Sequence, residues 1–155
     1  MFTGAEILDL AIRIEENGER FYREAIENVA DRSLKELLRW NADEEVAHRD
    51  YFIRMKKMIA LREKDDLADQ MSGFILQDAV SDHAFSLEEV DFSSISDEDE
   101  LLKIAIGFEQ DSIAFYEIME SFVSDAETLK HVQRIQDEER RHIALLEDRR
   151  RRIAG

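Results

Sequence analysis

Twice in this sequence a glutamate is followed three residues later by a histidine, in Glu45-Val46-Ala47-His48 and in Glu139-Arg140-Arg141-His142. Residues three apart on a helix share a face, so each pair sets a carboxylate beside an imidazole. Two more glutamates stand in stretches that echo each other. Ala11-Ile12-Arg13-Ile14-Glu15 leads to Phe21-Tyr22, and Ala105-Ile106-Gly107-Phe108-Glu109 leads to Phe115-Tyr116. These pairs, and Asp43-Glu44-Glu45 with Asp137-Glu138-Glu139, are all separated by 94 positions. Independent patterns at one offset indicate a duplicated unit.

A stripe at spacing 3, 4, 3, 4 is the face a bundle helix turns inward. The stripes here read Leu8, Ala11, Glu15, Gly18, Tyr22, Ala25, Val29 and, in the second copy, Leu102, Ala105, Glu109, Ser112, Tyr116, Met119, Val123. The paired stripes are Leu34, Leu38, Asn41, Glu45, His48, Phe52, Met55, Ile59 and Val132, Ile135, Glu139, His142, Leu146. Four carboxylates and two imidazoles are thereby aimed at one interior level. Four ionised carboxylates buried without partners would cost several kcal/mol each, so cations are expected to neutralise them, and two divalent ions carry the matching charge. Oxygen and nitrogen donors without thiolate suit iron, manganese or zinc, and the duplication suggests two ions about 3.5–4 Å apart. The plainer alternative is a set of surface Glu-x-x-His coincidences, or core histidines satisfied by neighbouring glutamates.

Helices must hold these side chains, and the 3.6-residue period runs through residues 4–29, 32–62, 97–123 and 126–152. Thr3-Gly4-Ala5-Glu6 and Ser124-Asp125-Ala126-Glu127 read as capping boxes, and Ser96-Asp97-Glu98-Asp99 reads as an acidic helix start. With no proline in the chain, nothing breaks these helices. Short links make the first and last pairs antiparallel hairpins, spanning 4–62 and 97–152, within one domain over 1–155. The crossover at 63–96 carries a short helix near 67–80. From Glu63 to Glu100 the chain has 13 acids and one base, a solvated acidic segment whose Phe74, Ile75, Leu76, Phe85, Val90 and Phe92 are expected to pack on the bundle or on a second subunit. The run Arg149–Arg152 complements a helix C-terminus.

The 155 residues, 44% hydrophobic and 37% charged, make one soluble globular domain. A net charge of −16 repels phosphate backbones and anionic lipid, so neither nucleic acid nor membrane is an expected partner. The absence of cysteine removes disulfides, thiolate nucleophiles and cysteine-ligated clusters. The N-terminus has no basic targeting region, and the longest uncharged run is Gln70 to Gln77, which points to a cytoplasmic protein with no membrane span.

The set Glu15, Glu45-x-x-His48, Glu109, Glu139-x-x-His142 resembles the ferritin-like di-iron carboxylate superfamily. The Glu-then-Phe-Tyr spacing and the long crossover are most similar to its rubrerythrin branch. The likeness runs over about residues 5–150. It implies an all-α, ferritin-like four-helix bundle of two duplicated hairpins joined by one long crossover. It also implies two iron ions, with manganese or zinc as substitutes. Glu15 with His48 would serve one metal, Glu109 with His142 the other, and Glu45 and Glu139 would bridge. Two departures matter: Ser112 stands where rubrerythrins commonly carry a further glutamate, and no cysteine-ligated rubredoxin module is present. The ligand set is then closer to the symmetric six of bacterioferritins, but Val46 replaces their haem-binding methionine.

Tyr22 and Tyr116 lie two turns beyond their glutamates, where a hydroxyl could reach a metal-bound carboxylate or an oxidant. Glu44 and Glu138 could orient the opposite helix's imidazole. His83 and His131 fall outside the stripes and read as surface, while Trp40 and Phe21, Phe52, Phe108, Phe115 and Phe122 read as core. The resemblance implies an oxidoreductase of the ferroxidase or peroxide-reducing type, acting on dioxygen, peroxide or ferrous iron. A separate protein would donate electrons, and a homodimer is expected. The alternatives are an iron-storage subunit, for which the chain lacks a fifth cage-closing helix, and a metal-free helical interaction module.

Overall fold

The computed structural model describes residues 4–62, 90–95, 97–121 and 123–154. Among the described residues the helices are α1 (Gly4–Glu27), α2 (Arg32–Arg62), α3 (Glu98–Glu120) and α4 (Ala126–Ala154), with a 3-10 turn at Phe92–Ser94 before α3. Among the described residues there is no strand, and no helix is long and apolar enough to cross a membrane. The expected helix near 67–80, most of the acidic crossover, His83, Phe122 and the Thr3 cap lie outside the described residues.

The helix starts follow from side chains that accept the otherwise orphaned first-turn N–H groups. At α2 the cap is Asp31, whose carboxylate accepts from the Leu34 N–H at 2.9 Å and the Ser33 hydroxyl. Asp97 accepts from the Glu100 N–H at α3. At α4 the cap is Asp125, which takes both the Thr128 N–H and its hydroxyl. The Ser124 capping box therefore gives way to its neighbour, because a carboxylate at Asp125 satisfies the same turn with a charged acceptor.

Each helix buries its stripe. α1 packs along α2 and α3 along α4. The interior forms two apolar clusters. One holds Leu8, Ala11, Phe52, Phe115, Tyr116, Met119, Val132 and Ile135, and the other holds Phe21, Tyr22, Ala25, Leu34, Leu38, Leu102, Ala105 and Leu146. A shift of 94 residues turns most of one cluster into the other, so the duplicated hairpins are related by a local two-fold across the bundle. Leu8 of α1 shares a cluster with Met119 of α3, and Ala25 with Leu102, so these two helices run antiparallel.

Arg149 and Arg150 do more than complement a helix terminus. Arg149 bonds Asp31 at 2.9 Å and Glu98 at 3.0 Å, and Arg150 bonds Asp99 at 2.8 Å. The C-terminal part of α4 is thus tied to the starts of α2 and α3.

Candidate metal centre

Between the two apolar clusters lies a polar layer. Glu15 from α1, Glu45 and His48 from α2, Glu109 from α3, and Glu139 and His142 from α4 all reach it, and none is more than 3% exposed. The six residues singled out by the repeat are therefore brought together. His48 Nδ1 lies 3.6 Å from Glu15 Oε2 and 3.1 Å from Glu139 Oε1. His142 Nδ1 lies 3.4 Å from Glu109 Oε1, 3.5 Å from Glu139 Oε2 and 3.6 Å from Glu45 Oε1. The two imidazoles face each other nearly parallel, with ring centres 6.1 Å apart.

These donors resolve into two nests, Glu15, Glu45, His48, Glu139 and Glu45, Glu109, Glu139, His142, each with one donor atom per residue inside a 4.8 Å span. Glu45 and Glu139 belong to both. A divalent cation pair fits the residues present. Both carboxylate oxygens of Glu45 and of Glu139, Glu15 Oε2, Glu109 Oε2 and His48 Nδ1 are buried without a hydrogen-bond partner among the described residues. An orphaned buried polar group costs about 1–3 kcal/mol, and a charged one more. Cations bound among these oxygens would remove that cost, and an all-oxygen-and-nitrogen set selects iron, manganese or zinc over thiolate-seeking metals.

The local fields agree. Burial, then the charges of Glu139 and Glu15, push the Glu45 carboxyl well above its ordinary range, so its protonated form is favoured until a cation replaces the proton. For His48 burial works downward, but the charge of Glu15 and the Glu138 and Glu139 carboxylates outweigh it and raise the imidazole. Glu139 feels the same burial, yet the His142 and His48 rings beside it hold it low.

Behind the nests stand residues that fix them. Glu138 accepts from His48 Nε2 at 2.8 Å, which leaves Nδ1 facing the carboxylates, and Arg134 in turn touches Glu138 at 3.4 Å. The other half is looser. Glu44 stands 3.9 Å from His142 Nε2 without a hydrogen bond, and the Trp40 ring meets His142 edge-on at 5.1 Å. The tyrosines act across the hairpins rather than within their own helix: Tyr22 donates to Glu109 Oε1 at 2.6 Å and Tyr116 to Glu15 Oε1 at 2.5 Å. Burial, then the surrounding carboxylates, raise both phenols well above their usual range, while the neighbouring Asn41 amide works the other way on Tyr22. Both hydroxyls therefore keep their protons.

Sequence reasoning passed over two positions. A Cβ on Gly18 would overlap Glu45 Oε2 and come within 2.9 and 3.0 Å of two Phe108 ring carbons, so the bare backbone of α1 makes room for the shared carboxylate. The repeat places Ser112 there in α3, its hydroxyl turned onto the Phe108 carbonyl at 3.0 Å. Asn41 is fully buried one turn before Glu45, its amide beside the Tyr22 hydroxyl. A glycine and an asparagine inside otherwise regular stripes were the available signal. His131, as expected, stays outside the layer, exposed and stacked on Tyr51.

Compared with known proteins, residues 6–149 match the family model described as rubrerythrin. A crystal structure from Thermotoga maritima, described as a ferritin-like diiron-carboxylate protein, is 28% identical in sequence. The match covers 95% of this chain and 93% of that one, with a TM-score of 0.68. No curated protein matches the sequence.

Proposed function

The chain belongs to the rubrerythrin family, and from that premise we propose that it is a non-haem di-iron protein that reduces peroxide or dioxygen while oxidising bound ferrous iron. The observation that carries the reading is the pair of nests sharing Glu45 and Glu139, both carboxylates of which are without a hydrogen-bond partner among the described residues. In this reading Glu15 and His48 would hold one iron and Glu109 and His142 the other, with Glu45 and Glu139 available to both. Two ferrous ions held there supply two electrons, enough with two protons to break the O–O bond of hydrogen peroxide and release two waters.

The chain's own residues set the conditions for that chemistry. The apolar clusters on either side of the layer exclude bulk water, which strengthens every charge interaction within it. Tyr22 and Tyr116 donate hydrogen bonds to Glu109 Oε1 and Glu15 Oε1, so each terminal carboxylate has one oxygen restrained and, among the described residues, one without a hydrogen bond. Glu138 fixes the His48 ring so that Nδ1, the atom facing Glu15 and Glu139, is the donor. The recipient of the electrons is a small oxygen species, and their source is a separate reductant protein, since this sequence has no cysteine to ligate an iron–sulfur or rubredoxin-type centre.

Rapid mixing of the ferrous-loaded protein with peroxide and, separately, with dioxygen tests the proposal. Oxidation of the bound iron by at least one of them, faster than free ferrous ion under the same conditions, is expected. Rates no faster than free iron with both would overturn it.

A further inference from the structure

We propose that Glu44 and the outward Nε2 of His142 form a gateway at which divalent cations are captured from solvent and passed to the two nests. The inference rests on the di-metal reading above and adds the route by which the centre is filled. The repeat gives each nest one outer carboxylate, Glu138 beside His48 and Glu44 beside His142, and the two are used differently.

On the His48 side the way in is closed. Glu138 accepts from His48 Nε2 at 2.8 Å through one oxygen and meets Arg134 at 3.4 Å through the other. That guanidinium is 73% exposed, so a positive charge stands at this mouth and repels an approaching cation.

On the other side each of these features is missing. The counterpart of Arg134 at the 94-residue offset is Trp40, uncharged, half-buried and edge-on to the His142 ring. No lysine or arginine pairs with Glu44 among the described residues, and its side chain, 28% exposed, reaches solvent. It stops 3.9 Å from His142 Nε2, a buried nitrogen without a hydrogen-bond partner among the described residues. His142 Nδ1 lies 3.4 Å from Glu109 Oε1 and 3.5 Å from Glu139 Oε2, oxygens that accept. The neutral ring therefore carries its hydrogen on Nδ1 and turns the Nε2 lone pair outward. A lone pair and a carboxylate oxygen thus face each other across a gap too wide for a hydrogen bond. One cation fits between them, since metal–nitrogen and metal–oxygen bonds of about 2.0–2.2 Å each, as zinc makes, span that distance. The same imidazole has one nitrogen at the gateway and the other in the nest, and the residue after Glu44 is Glu45, which belongs to both nests.

Cobalt(II) uptake by the metal-free full chain tests this, followed in stopped flow through quenching of Trp40, the chain's one tryptophan. In the wild type the observed rate is expected to level off as cobalt rises, because capture at the gateway precedes transfer inward. Glu44→Gln is expected to load at least tenfold more slowly, in line with the rate that a charged mouth adds to cation capture, with affinity at equilibrium within threefold of wild type. Glu24→Gln removes the same charge from the exposed side of α1 and is expected to load at the wild-type rate. A wild-type rate that rises linearly up to millimolar cobalt would overturn the inference, and that readout needs no variant to fold. Loading of Glu44→Gln at the wild-type rate, or equal slowing of both variants, would overturn it as well. A wild type that takes up no cobalt even at equilibrium would instead bring down the di-metal reading, and this inference with it.

Discussion

Glycine inside a helix normally costs about 1 kcal/mol relative to alanine, so replacing it should stabilise the protein. Gly18 and Gly107 separate that general effect from a local one. Around a Cβ on Gly107 there is nothing within 4 Å among the described residues, whereas a Cβ on Gly18 would strike Glu45 and come within 2.9 Å of Phe108, well inside the 3.4 Å at which ordinary contact begins. Gly107→Ala should therefore gain the full ~1 kcal/mol, or about 2–4 °C in Tm for a chain of this size. Gly18→Ala gains the same helix term and loses about 1–3 kcal/mol to overpacking, for a net change between ~0 and a 2 kcal/mol loss. The larger effect should be on metal. Glu45 has to leave a position where all donor atoms lie within 4.8 Å of one another, and affinity should drop by the order of 10–100-fold associated with disturbing a ligand's support. Denaturant melts of both metal-free variants and competition with a chelator give the two numbers. If Gly18→Ala stabilises as much as Gly107→Ala and holds metal as tightly as wild type, the account of Gly18 is wrong.

Tyr22→Phe and Tyr116→Phe each remove a hydrogen bond to a buried carboxylate across the two hairpins, so each should destabilise the metal-free protein by about 1.5–3 kcal/mol. A loss below ~0.5 kcal/mol in urea melts would show that the crossed bonds carry no weight. The Asp31 carboxyl is held down to about 2 by the Ser33 hydroxyl, the Leu34 N–H and Arg149. Its contribution is therefore complete above the unfolded value of about 3.9 and lost as pH falls toward 2. Asp31→Asn should flatten the acid limb of the melting curve in that window, and an unchanged slope would refute the cap. Glu45 and His48 are both raised in the metal-free fold, so their stabilisation is present at low pH and fades as pH rises above their unfolded values. The metal-free protein should thus melt lower at about pH 8 than at about pH 5.5. Metal, which displaces those protons, should raise Tm more at the higher pH. Equal metal-induced shifts at both would contradict the cluster's electrostatics.

The stripes were readable because helical periodicity is a local property. Every stripe side chain described within the four helices is buried, and α2 begins and ends at the expected residues. The 94-residue offset carried the centre itself, since a duplicated hairpin returns each ligand to an equivalent place. What the spacing could not give was partnership across the bundle. Tyr22 sits on the same stripe as Glu15, yet it bonds Glu109, because antiparallel α1 and α3 bring the tyrosine of one beside the glutamate of the other. The Arg149 ties to Asp31 and Glu98 are likewise invisible without the docking of three helix ends. Gly18 and Asn41 looked like irregularities in an apolar line. Their meaning depends on Glu45 approaching across the hairpin and on a buried amide set beside the Tyr22 hydroxyl, which are properties of packing. The helix ends shifted by at most three residues, at α1, α3 and α4, and at the first two the stripe's last members Val29 and Val123 pack from beyond the helix.

The central claim is that the buried carboxylate–imidazole layer holds two metal ions. Elemental analysis of the protein after anaerobic ferrous loading and desalting tests it most directly, with Glu45→Ala and His142→Ala run in parallel. Two ions per chain are expected for the wild type, one for each nest, and both variants should fall to one or fewer because Glu45 serves both nests and His142 closes one. Less than one ion per wild-type chain, or the same metal content in all three proteins, would contradict the account.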